Sequence, residues 1–156
     1  MSTLTHLTGD ATRPVGPGSK IIVHCCNDIG AWGAGFVLAL SRRWPQPETE
    51  YRTSARVSEL VLGEIQLVPV EQDITVVNLI GQHGTGHRNG VPPIRYEAIS
   101  EGLSKLAVHA RHHGASVHMP KMGAGLAGGD WDQIEEIVRN TLCAAGIPVF
   151  VYTFDP

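Results

Sequence analysis

Two glycine-rich segments of the sequence have the composition of anion-binding loops. VHCCNDIGAWGAGF, residues 23–36, begins within the apolar run IIV, and KMGAGLAGGDW, residues 121–131, follows ASVHMP. Glycine lets backbone N–H groups approach a phosphate oxygen without interference from a side chain, and the N-terminus of a following helix adds favourable partial positive charge. Two such loops in equivalent places predict a binding site for a diphosphate.

Neither loop matches a common nucleotide-binding fingerprint. The P-loop pattern GxxxxGK(S/T) is absent from the sequence, and GAWGAG differs from GxGxxG. No acidic residue ends a second strand about 20 residues later, as a dinucleotide-binding fold requires. Because tight turns also use glycine, one loop alone is weak evidence, and the prediction depends on the matched pair.

The cysteines of the first loop are the residues that invite a nucleophile hypothesis. Cys25 and Cys26 stand beside His24, but adjacent residues on a strand point to opposite faces. The chain has three cysteines, with neither CxxC spacing nor a secretory context. We therefore expect reduced, structural thiols. The histidines show no metal-ligand pattern, and we expect no metal and no cofactor.

The elements that position these loops alternate between strands and helices. KIIVHCC, ITVVNLIG, ASVHMP and IPVFVYTF read as strands, and VSELVLGEIQLVPV as one or two more with a bend at Gly63. AGFVLALSRRW, RYEAISEGLSKLAVHARHHG and DWDQIEEIVRNTLCAAG read as helices, and the last two end on Gly114 and Gly146, where left-handed caps are expected. The alternation predicts an α/β domain with a mixed or mainly parallel sheet and a ligand site at the carboxyl ends of its strands.

Length and composition limit the possible functions. The 156 residues predict a single domain, residues 1–156, with 42% hydrophobic residues, a net charge of −3 and a mean hydropathy of −0.01. This charge argues against a broad nucleic-acid-binding surface. The N-terminus lacks a signal-peptide pattern, and no apolar run approaches the ~18 residues of a membrane span. We expect a cytoplasmic monomer without a membrane partner.

Four blocks, taken in order, resemble the macrodomain family. They are LTGDAT (7–12), VHCCNDIGAWGAGF (23–36), PKMGAGLAGGDW (120–131) and VYTF (151–154), and together they extend over nearly the whole chain. The sequence is most similar to the ALC1-like branch, which includes the terminal ADP-ribose protein glycohydrolase. The resemblance implies a three-layer α/β/α fold with a mixed central sheet that binds ADP-ribose in a cleft above the sheet.

The resemblance also assigns residues to parts of ADP-ribose. Asp10, with Ala11 beside it, would accept a hydrogen bond from the adenine amino group, and Tyr152 would lie by the adenine. Asn27 would face the distal ribose, which Trp32 would cover unless it packs in the core. The ligand-contacting set is completed by Ile22, Gly33, Ala34, Gly35, Phe36, Met122, Gly123, Ala124, Gly125, Leu126, Ala127 and Gly128.

The catalytic residues of that glycohydrolase do not carry over to this chain. Its lysine, located before a Tyr-Glu helix start, corresponds to about Pro93, and its aspartate, after Gly-Leu of the second loop, to Ala127. The resemblance therefore does not predict a lysine adduct, Lys121 does not obviously substitute for the missing lysine, and direct attack of water on the anomeric carbon of an ester is the mechanism to consider. Asn27, Gln82 or His83 could orient that water, and Asp130 is the acid nearest to the second loop, although it also suits a helix N-cap.

Three functions follow from the resemblance. The first is hydrolysis of mono-ADP-ribose from acidic residues of modified proteins. The second is an ADP-ribose-1''-phosphate phosphatase, because HCCNDIGAWGAGF also looks like the yeast-type phosphatases of this superfamily. The third is a reader that binds ADP-ribose without chemistry. The expected partners are ADP-ribose and mono-ADP-ribosylated proteins, with ADP-ribosylated DNA ends as the one nucleic-acid substrate to consider.

Overall fold

One mixed sheet forms the centre of this computed structural model, which describes residues 2–125 and 127–154. The strand order across the sheet is β1-β6-β5-β2-β4-β3, and within the described residues β3 pairs antiparallel with β4 while the other neighbours are parallel. The strands are β1 (Leu4–Thr8), β2 (Lys20–Asn27), β3 (Ile65–Glu71), β4 (Ile74–Gln82), β5 (Ser116–Pro120) and β6 (Val149–Thr153).

Helices cover both faces of the sheet. They are α1 (Phe36–Arg43), α2 (Gln46–Val57), α3 (Tyr96–His113) and α4 (Trp131–Val138), which continues into a π-helical turn (Arg139–Cys143). Gly114 ends α3 with φ 60° in the left-handed region, and Gly146 has φ 83° after the π-helical turn. Both glycines therefore adopt the backbone conformation predicted for them, which non-glycine residues rarely adopt.

The apolar run of β2 is continuous because this strand is buried on both faces. Ile21 and Val23 pack in the core with α3 and α4, whereas Ile22 and Cys26 pack on the opposite face with α1 and α2. Alternate residues of a strand point to opposite faces, so a strand covered on both sides needs apolar residues at successive positions. The predicted three-layer α/β/α architecture with a mixed sheet is confirmed.

The segment between α1 and β4 agrees with the prediction in part. Residues 57–70 contain one strand and a turn at Gly63, with φ 89°, as expected, but the strand begins only at Ile65, and Val57 ends the unpredicted helix α2. Helix α2 has two buried residues, Pro47 and Tyr51, so its sequence carries little helical periodicity. No helix within the described residues is long and apolar enough to cross a membrane.

Candidate functional site

A cavity of about 560 Å³ opens at the carboxyl ends of β2, β4 and β5, between the two glycine loops. Such a volume is in the range of small-ligand pockets. The sheet topology places β2 between β4 and β5, so the loops that follow these strands meet above one edge. The cavity is lined by His24, Cys25, Cys26, Asn27, Ala31, Gly33, Ala34, Gly35, Phe36, Val37, Gln82, Thr85, Pro120, Lys121, Met122, Gly123, Gly125 and Ala127.

The first loop presents a helix N-terminus to the cavity. Helix α1 starts at Phe36, directly after Gly35, whose φ of 83° favours glycine, and no side chain caps its N–H groups. A Cβ atom added to Gly33 would meet no heavy atom within 4 Å. Open N–H groups and the positive end of the helix dipole make this position suitable for an anion.

The second loop is held by a contact that requires glycine. The Gly129 N–H donates to the Gly123 carbonyl at 2.8 Å, and a Cβ on Gly129 would lie 2.5 Å from that oxygen. Gly123 has φ 76°, in the left-handed region. Gly125, by contrast, lines the cavity and has no heavy atom within 4 Å of an added Cβ. The loop is therefore tightly folded at its base and open towards the cavity.

Asn27 organises the first loop from the end of β2. Its Oδ1 accepts hydrogen bonds from the Ile29 and Ala31 N–H groups and from the Tyr51 hydroxyl, at 3.1, 3.0 and 2.7 Å. Its Nδ2 donates to the Ala31 carbonyl at 2.7 Å. One N–H hydrogen of the Asn27 side-chain amide remains for a ligand, whereas its Oδ1 already accepts from the loop and from Tyr51.

Gln82 is the last residue of β4, which lies beside β2, and His83 follows it. Gln82 lines the cavity and donates from Nε2 to the Gly84 carbonyl at 3.0 Å. His83 lies outside the described lining, and its Nδ1 is 2.7 Å from Asp28 Oδ2, while Asp28 Oδ1 accepts from the Gly84 N–H at 2.8 Å. Burial alone would raise the pKa of Asp28, but the hydrogen bonds from Gly84 and His83 outweigh it and lower that pKa. His83 therefore joins two loops rather than facing the cavity.

Asp130 caps a helix instead of facing the cavity. Its Oδ1 accepts from the Asp132 N–H at 2.9 Å at the start of α4, and its own N–H donates to the Tyr96 hydroxyl. The described lining of the cavity does not include it. Asp130 therefore has the helix N-cap role that was its alternative, and a catalytic role for it stays a prediction.

We expect Asp130→Ala to lower the free energy of unfolding by about 1 kcal/mol, because the first turn of α4 loses its cap. Urea unfolding measures this change, and Asp130→Asn is the matched control because it retains a capping oxygen. Any turnover measured for the protein is expected to stay unchanged. Lost turnover with unchanged stability would restore Asp130 as a catalytic residue.

Trp32 and Ile22 belong to the core. Trp32 is 3% exposed, donates from Nε1 to Ser41 Oγ at 2.8 Å and packs against His24 and Tyr51, and Ile22 is fully buried. Trp32 therefore packs in the core, which is the alternative given for it, and its contact with the distal ribose stays a prediction. The Ser41 hydroxyl, supplied by α1, gives the indole N–H the partner that a buried tryptophan needs.

The residues predicted to hold adenine lie at the ends of β1 and β6, away from the described cavity lining. Asp10 Oδ1 accepts from the N–H and the hydroxyl of Thr12, and Ala11 is buried beside it. Tyr152 is 4% exposed, and its hydroxyl accepts from the Val15 N–H and contacts His118 Nδ1 at 2.7 Å. The structure thus gives each of them an internal role, and their contact with adenine stays a prediction.

Two further predicted contacts, Ala124 and Gly128, lie in the second loop outside the described lining. Ala124 belongs to the turn after β5, and its N–H is 3.4 Å from the Lys121 carbonyl. Gly128 has φ 74° and packs under Pro92 and His87. Leu126 lies outside the described residues.

The cysteines and His24 lack the electrostatics of a nucleophile and base. Cys26 Sγ is 3.7 Å from His24 Nε2, because residues two apart on a strand share a face. Burial lowers the pKa of His24 to about 4 and raises the pKa of Cys26 well above its usual value. Burial likewise raises the pKa of Cys25, which lines the cavity, to about 12. The imidazole of His24 and the thiols of Cys25 and Cys26 are therefore uncharged near pH 7.

These shifts predict slow alkylation of the native protein. With a pKa of about 12, roughly one Cys25 thiol in 10⁴ is a thiolate at pH 8, against about a quarter for an unperturbed cysteine. We expect iodoacetamide to label native Cys25 at least about 100-fold more slowly than the unfolded chain, followed by mass spectrometry. Rapid labelling of Cys25 at pH 7 would show an activated thiol.

Sequence reasoning missed part of the lining, most importantly Lys121 and Thr85. The structure places Lys121, an exposed cation directly after β5, on the cavity wall. Its position directly after a predicted strand was the available signal. Pro93 and Ala127, at the positions of the family catalytic residues, are buried. Within the described residues, no group of three or more His, Cys, Asp or Glu is placed to hold a metal ion.

Solved structures resemble this chain over nearly its whole length. A macrodomain protein from Streptomyces coelicolor is 47% identical, with a TM-score of 0.85 over 97% of this chain and 99% of its own. A protein of unknown function from Bacteroides thetaiotaomicron is 48% identical, with a TM-score of 0.95 over 97% of this chain and 98% of its own. The chain therefore belongs to the macrodomain family.

Curated relatives agree with this placement, although no protein-family model matches the chain. Mouse chromodomain-helicase-DNA-binding protein 1-like is 32% identical over 98% of this chain, which spans 18% of that relative, as expected for the ALC1-like branch. A Mycobacterium tuberculosis DNA ADP-ribosyl glycohydrolase is 28% identical over 85% of the chain and 37% of its own length. A Lodderomyces elongisporus ADP-ribose 1''-phosphate phosphatase is 24% identical over 87% of the chain and 91% of its own length.

Proposed function

We propose that this macrodomain binds ADP-ribose in the cavity and hydrolyses the ester between mono-ADP-ribose and an acidic residue of a modified protein. The diphosphate would lie between the two glycine loops, with an oxygen at the N-terminus of α1 and Lys121 nearby. The names of the glycohydrolase and phosphatase relatives support a hydrolase that acts on ADP-ribose derivatives. Adenine would lie towards Asp10 and Tyr152, and the distal ribose towards Asn27.

The observation that carries the choice of substrate is the chemistry of the cavity wall. Of the described residues that line the cavity, none is an aspartate or a glutamate. A wall without a carboxylic acid lacks the general acid that most glycosidases use to protonate a poor leaving group. The carboxylate of a glutamate or aspartate ester needs no such help, because its conjugate acid has a pKa of about 4. Esters of acidic residues are therefore the substrates that this wall suits best.

The reaction is a substitution at the anomeric carbon of the distal ribose. The oxygen of a water molecule bonds to C1'', the bond from C1'' to the ester oxygen breaks, and its electron pair leaves with the carboxylate. The proton lost by the attacking water passes to solvent or to a diphosphate oxygen of the substrate. The positive charge that develops on the ribose is stabilised by the adjacent diphosphate.

Gln82 and Asn27 would orient the attacking water. Gln82 Oε1 has Cys25 Sγ at 4.0 Å as its described contact, so this oxygen retains capacity to accept a hydrogen bond from water. Asn27 can donate its remaining N–H hydrogen. Positioning of this kind is the main contribution available to a site that lacks a strong base.

The direct test is release of ADP-ribose from a protein that carries a single glutamate-linked ADP-ribose, followed by chromatography. We expect release by the wild-type protein, with the same rate in EDTA, and slower release by Gln82→Ala with unchanged ADP-ribose affinity. Serine-linked and arginine-linked substrates, whose leaving groups are poor, are expected to remain intact. Binding of ADP-ribose without release from the glutamate ester would contradict the proposed reaction.

The phosphatase is the second candidate, and one observation favours it. The phosphatase relative aligns over 91% of its own length, so the match extends over almost the entire enzyme. Incubation with ADP-ribose 1''-phosphate and measurement of inorganic phosphate separates the two activities. Phosphate release without cleavage of the glutamate ester would select the phosphatase, and binding without either reaction would select a reader.

A further inference from the structure

Residues 83–93 form a hairpin at the mouth of the cavity, which we call the rim hairpin. Gln82 and Ile94 pair antiparallel at its base, and Arg88 and Val91 exchange backbone hydrogen bonds of 3.0 and 2.9 Å at its tip. Asn89 and Gly90, with φ 54° and 77°, form the turn. Asn-Gly is the pair that such a two-residue hairpin turn prefers, so the tip has a defined shape.

The rim hairpin is attached to both glycine loops. Asp28, which follows the last residue of β2, accepts the Gly84 N–H and contacts His83 on the first strand of the hairpin. On the other side, a Cβ on Gly128 would lie 2.9 Å from Pro92 Cβ and 3.3 Å from His87 Nε2, so the second loop packs against the hairpin. Thr85 of the hairpin lines the cavity itself. With the distal ribose towards Asn27, as proposed above, a protein chain attached to it would leave the cavity beside this hairpin.

The charge of the rim hairpin differs from that of the molecule. The chain carries −3 overall, yet residues 83–93 contain one arginine, two histidines and no aspartate or glutamate. Arg88 is exposed, and its Nη2 lies 3.6 Å from the point that a Cβ on Gly84 would occupy. Gly84 directly precedes Thr85 of the cavity wall. Among the described residues Arg88 makes no ion pair, whereas Arg43, Arg52 and Arg139 each pair with a glutamate.

We propose that the rim hairpin docks an acidic stretch of the modified protein next to its ADP-ribosylated residue, with Arg88 as the main contact. This inference rests on the proposed function, because it concerns the polypeptide side of that substrate. The guanidinium group pairs with carboxylates in a forked geometry. Modified glutamates in acidic segments then reach the cavity in preference to those in neutral segments.

A peptide suits this surface better than a nucleic acid. Single-stranded nucleic acids bind to surfaces that combine several cations with aromatic side chains on which bases stack. Residues 83–93 contain no Phe, Tyr or Trp and one arginine without lysine. One exposed guanidinium matches one or two carboxylates of a peptide.

The test uses two peptides that carry a single glutamate-linked ADP-ribose, one flanked by aspartate and glutamate and the other by alanine and serine. Affinity and release are measured for the wild-type protein, Arg88→Gln, Arg88→Glu and the control Arg56→Gln, which removes an exposed arginine of α2. The acetate ester of ADP-ribose, which has no peptide, is the reference substrate. Melting temperatures confirm that each variant is folded.

We expect Arg88→Gln to weaken binding of the acidic peptide about fivefold relative to the acetate ester and to abolish the preference over the neutral peptide. Arg88→Glu is expected to weaken binding of the acidic peptide relative to the acetate ester on the order of tenfold. Arg56→Gln is expected to leave this relative affinity unchanged. Added salt is expected to reduce the preference of the wild-type protein.

The inference is overturned by several distinct results. One is equal affinity of the wild-type protein for the two peptides. Another is an Arg88→Gln variant that loses the same affinity for the acetate ester and for both peptides. An effect of Arg88→Gln on ADP-ribosylated DNA ends, with none on the acidic peptide, would assign the surface to nucleic acid. If the wild-type protein binds both peptides and hydrolyses neither, the proposed function fails, and the affinities still decide the role of Arg88.

Discussion

Replacement of Gly33 by glutamate is expected to weaken ADP-ribose binding by at least about 100-fold, or about 2.7 kcal/mol. Gly33 lines the cavity beside the N-terminus of α1, and an added Cβ meets no heavy atom within 4 Å. The fold therefore accepts a side chain at this position. The carboxylate would occupy the space proposed for the diphosphate and repel its negative charge.

Gly33→Ala is the matched control for this substitution, because it adds a Cβ without charge and is expected to change affinity much less. Calorimetry gives the affinities, and thermal unfolding is expected to give similar melting temperatures for all three proteins. Equal affinity of Gly33→Glu and the wild-type protein would place the diphosphate elsewhere and remove the role proposed for the first loop.

Asn27→Ala is expected to lower the free energy of unfolding by about 3 kcal/mol and to weaken ADP-ribose binding as well. The substitution removes the acceptor for the Ile29 and Ala31 N–H groups and the donor to the Ala31 carbonyl. The buried Tyr51 hydroxyl loses one of its two acceptors and keeps the backbone carbonyl of residue 27, at 2.6 Å. Each lost hydrogen bond contributes about 1 kcal/mol. Urea unfolding measures the stability, and calorimetry the affinity.

Tyr51→Phe separates the contributions to this network. It removes the hydroxyl that reaches Asn27 and leaves the two bonds from the loop N–H groups, so we expect a loss of about 1 kcal/mol and near-normal ADP-ribose affinity. If Asn27→Ala were as stable as the wild-type protein and lost turnover alone, Asn27 would act in catalysis and would not organise the loop.

The parts of the fold that the sequence predicts best are those where local pattern and burial agree. The strand from Lys20 to Asn27 has a continuous apolar run because both of its faces are covered, and Gly114 ends α3 because the left-handed cap favours glycine. Helix α2 escaped prediction since it buries Pro47 and Tyr51 and little else. The edge strand β1 was also missed, and its burial pattern shows no fully buried residue to mark it.

The sequence predicts those parts of the candidate site that the local backbone determines. It does not predict the parts that depend on side chains distant in the chain. The glycine loops carry their own signal in composition and in position after strands. The place of Trp32 depends on Ser41 and Tyr51, which lie in two helices further along the chain. The contact between Asp28 and His83 joins residues 55 positions apart, and no local pattern indicates such a pair.

Calorimetric titration of the wild-type protein with ADP-ribose, with AMP and ribose 5-phosphate as comparison ligands, tests the central claim most directly. We predict one site with micromolar affinity for ADP-ribose and at least about tenfold weaker binding of either fragment, because each fragment lacks the diphosphate that we propose to lie between the two loops. Absence of ADP-ribose binding, or equal affinity for AMP, would contradict the assignment of the cavity between the glycine loops as the diphosphate site.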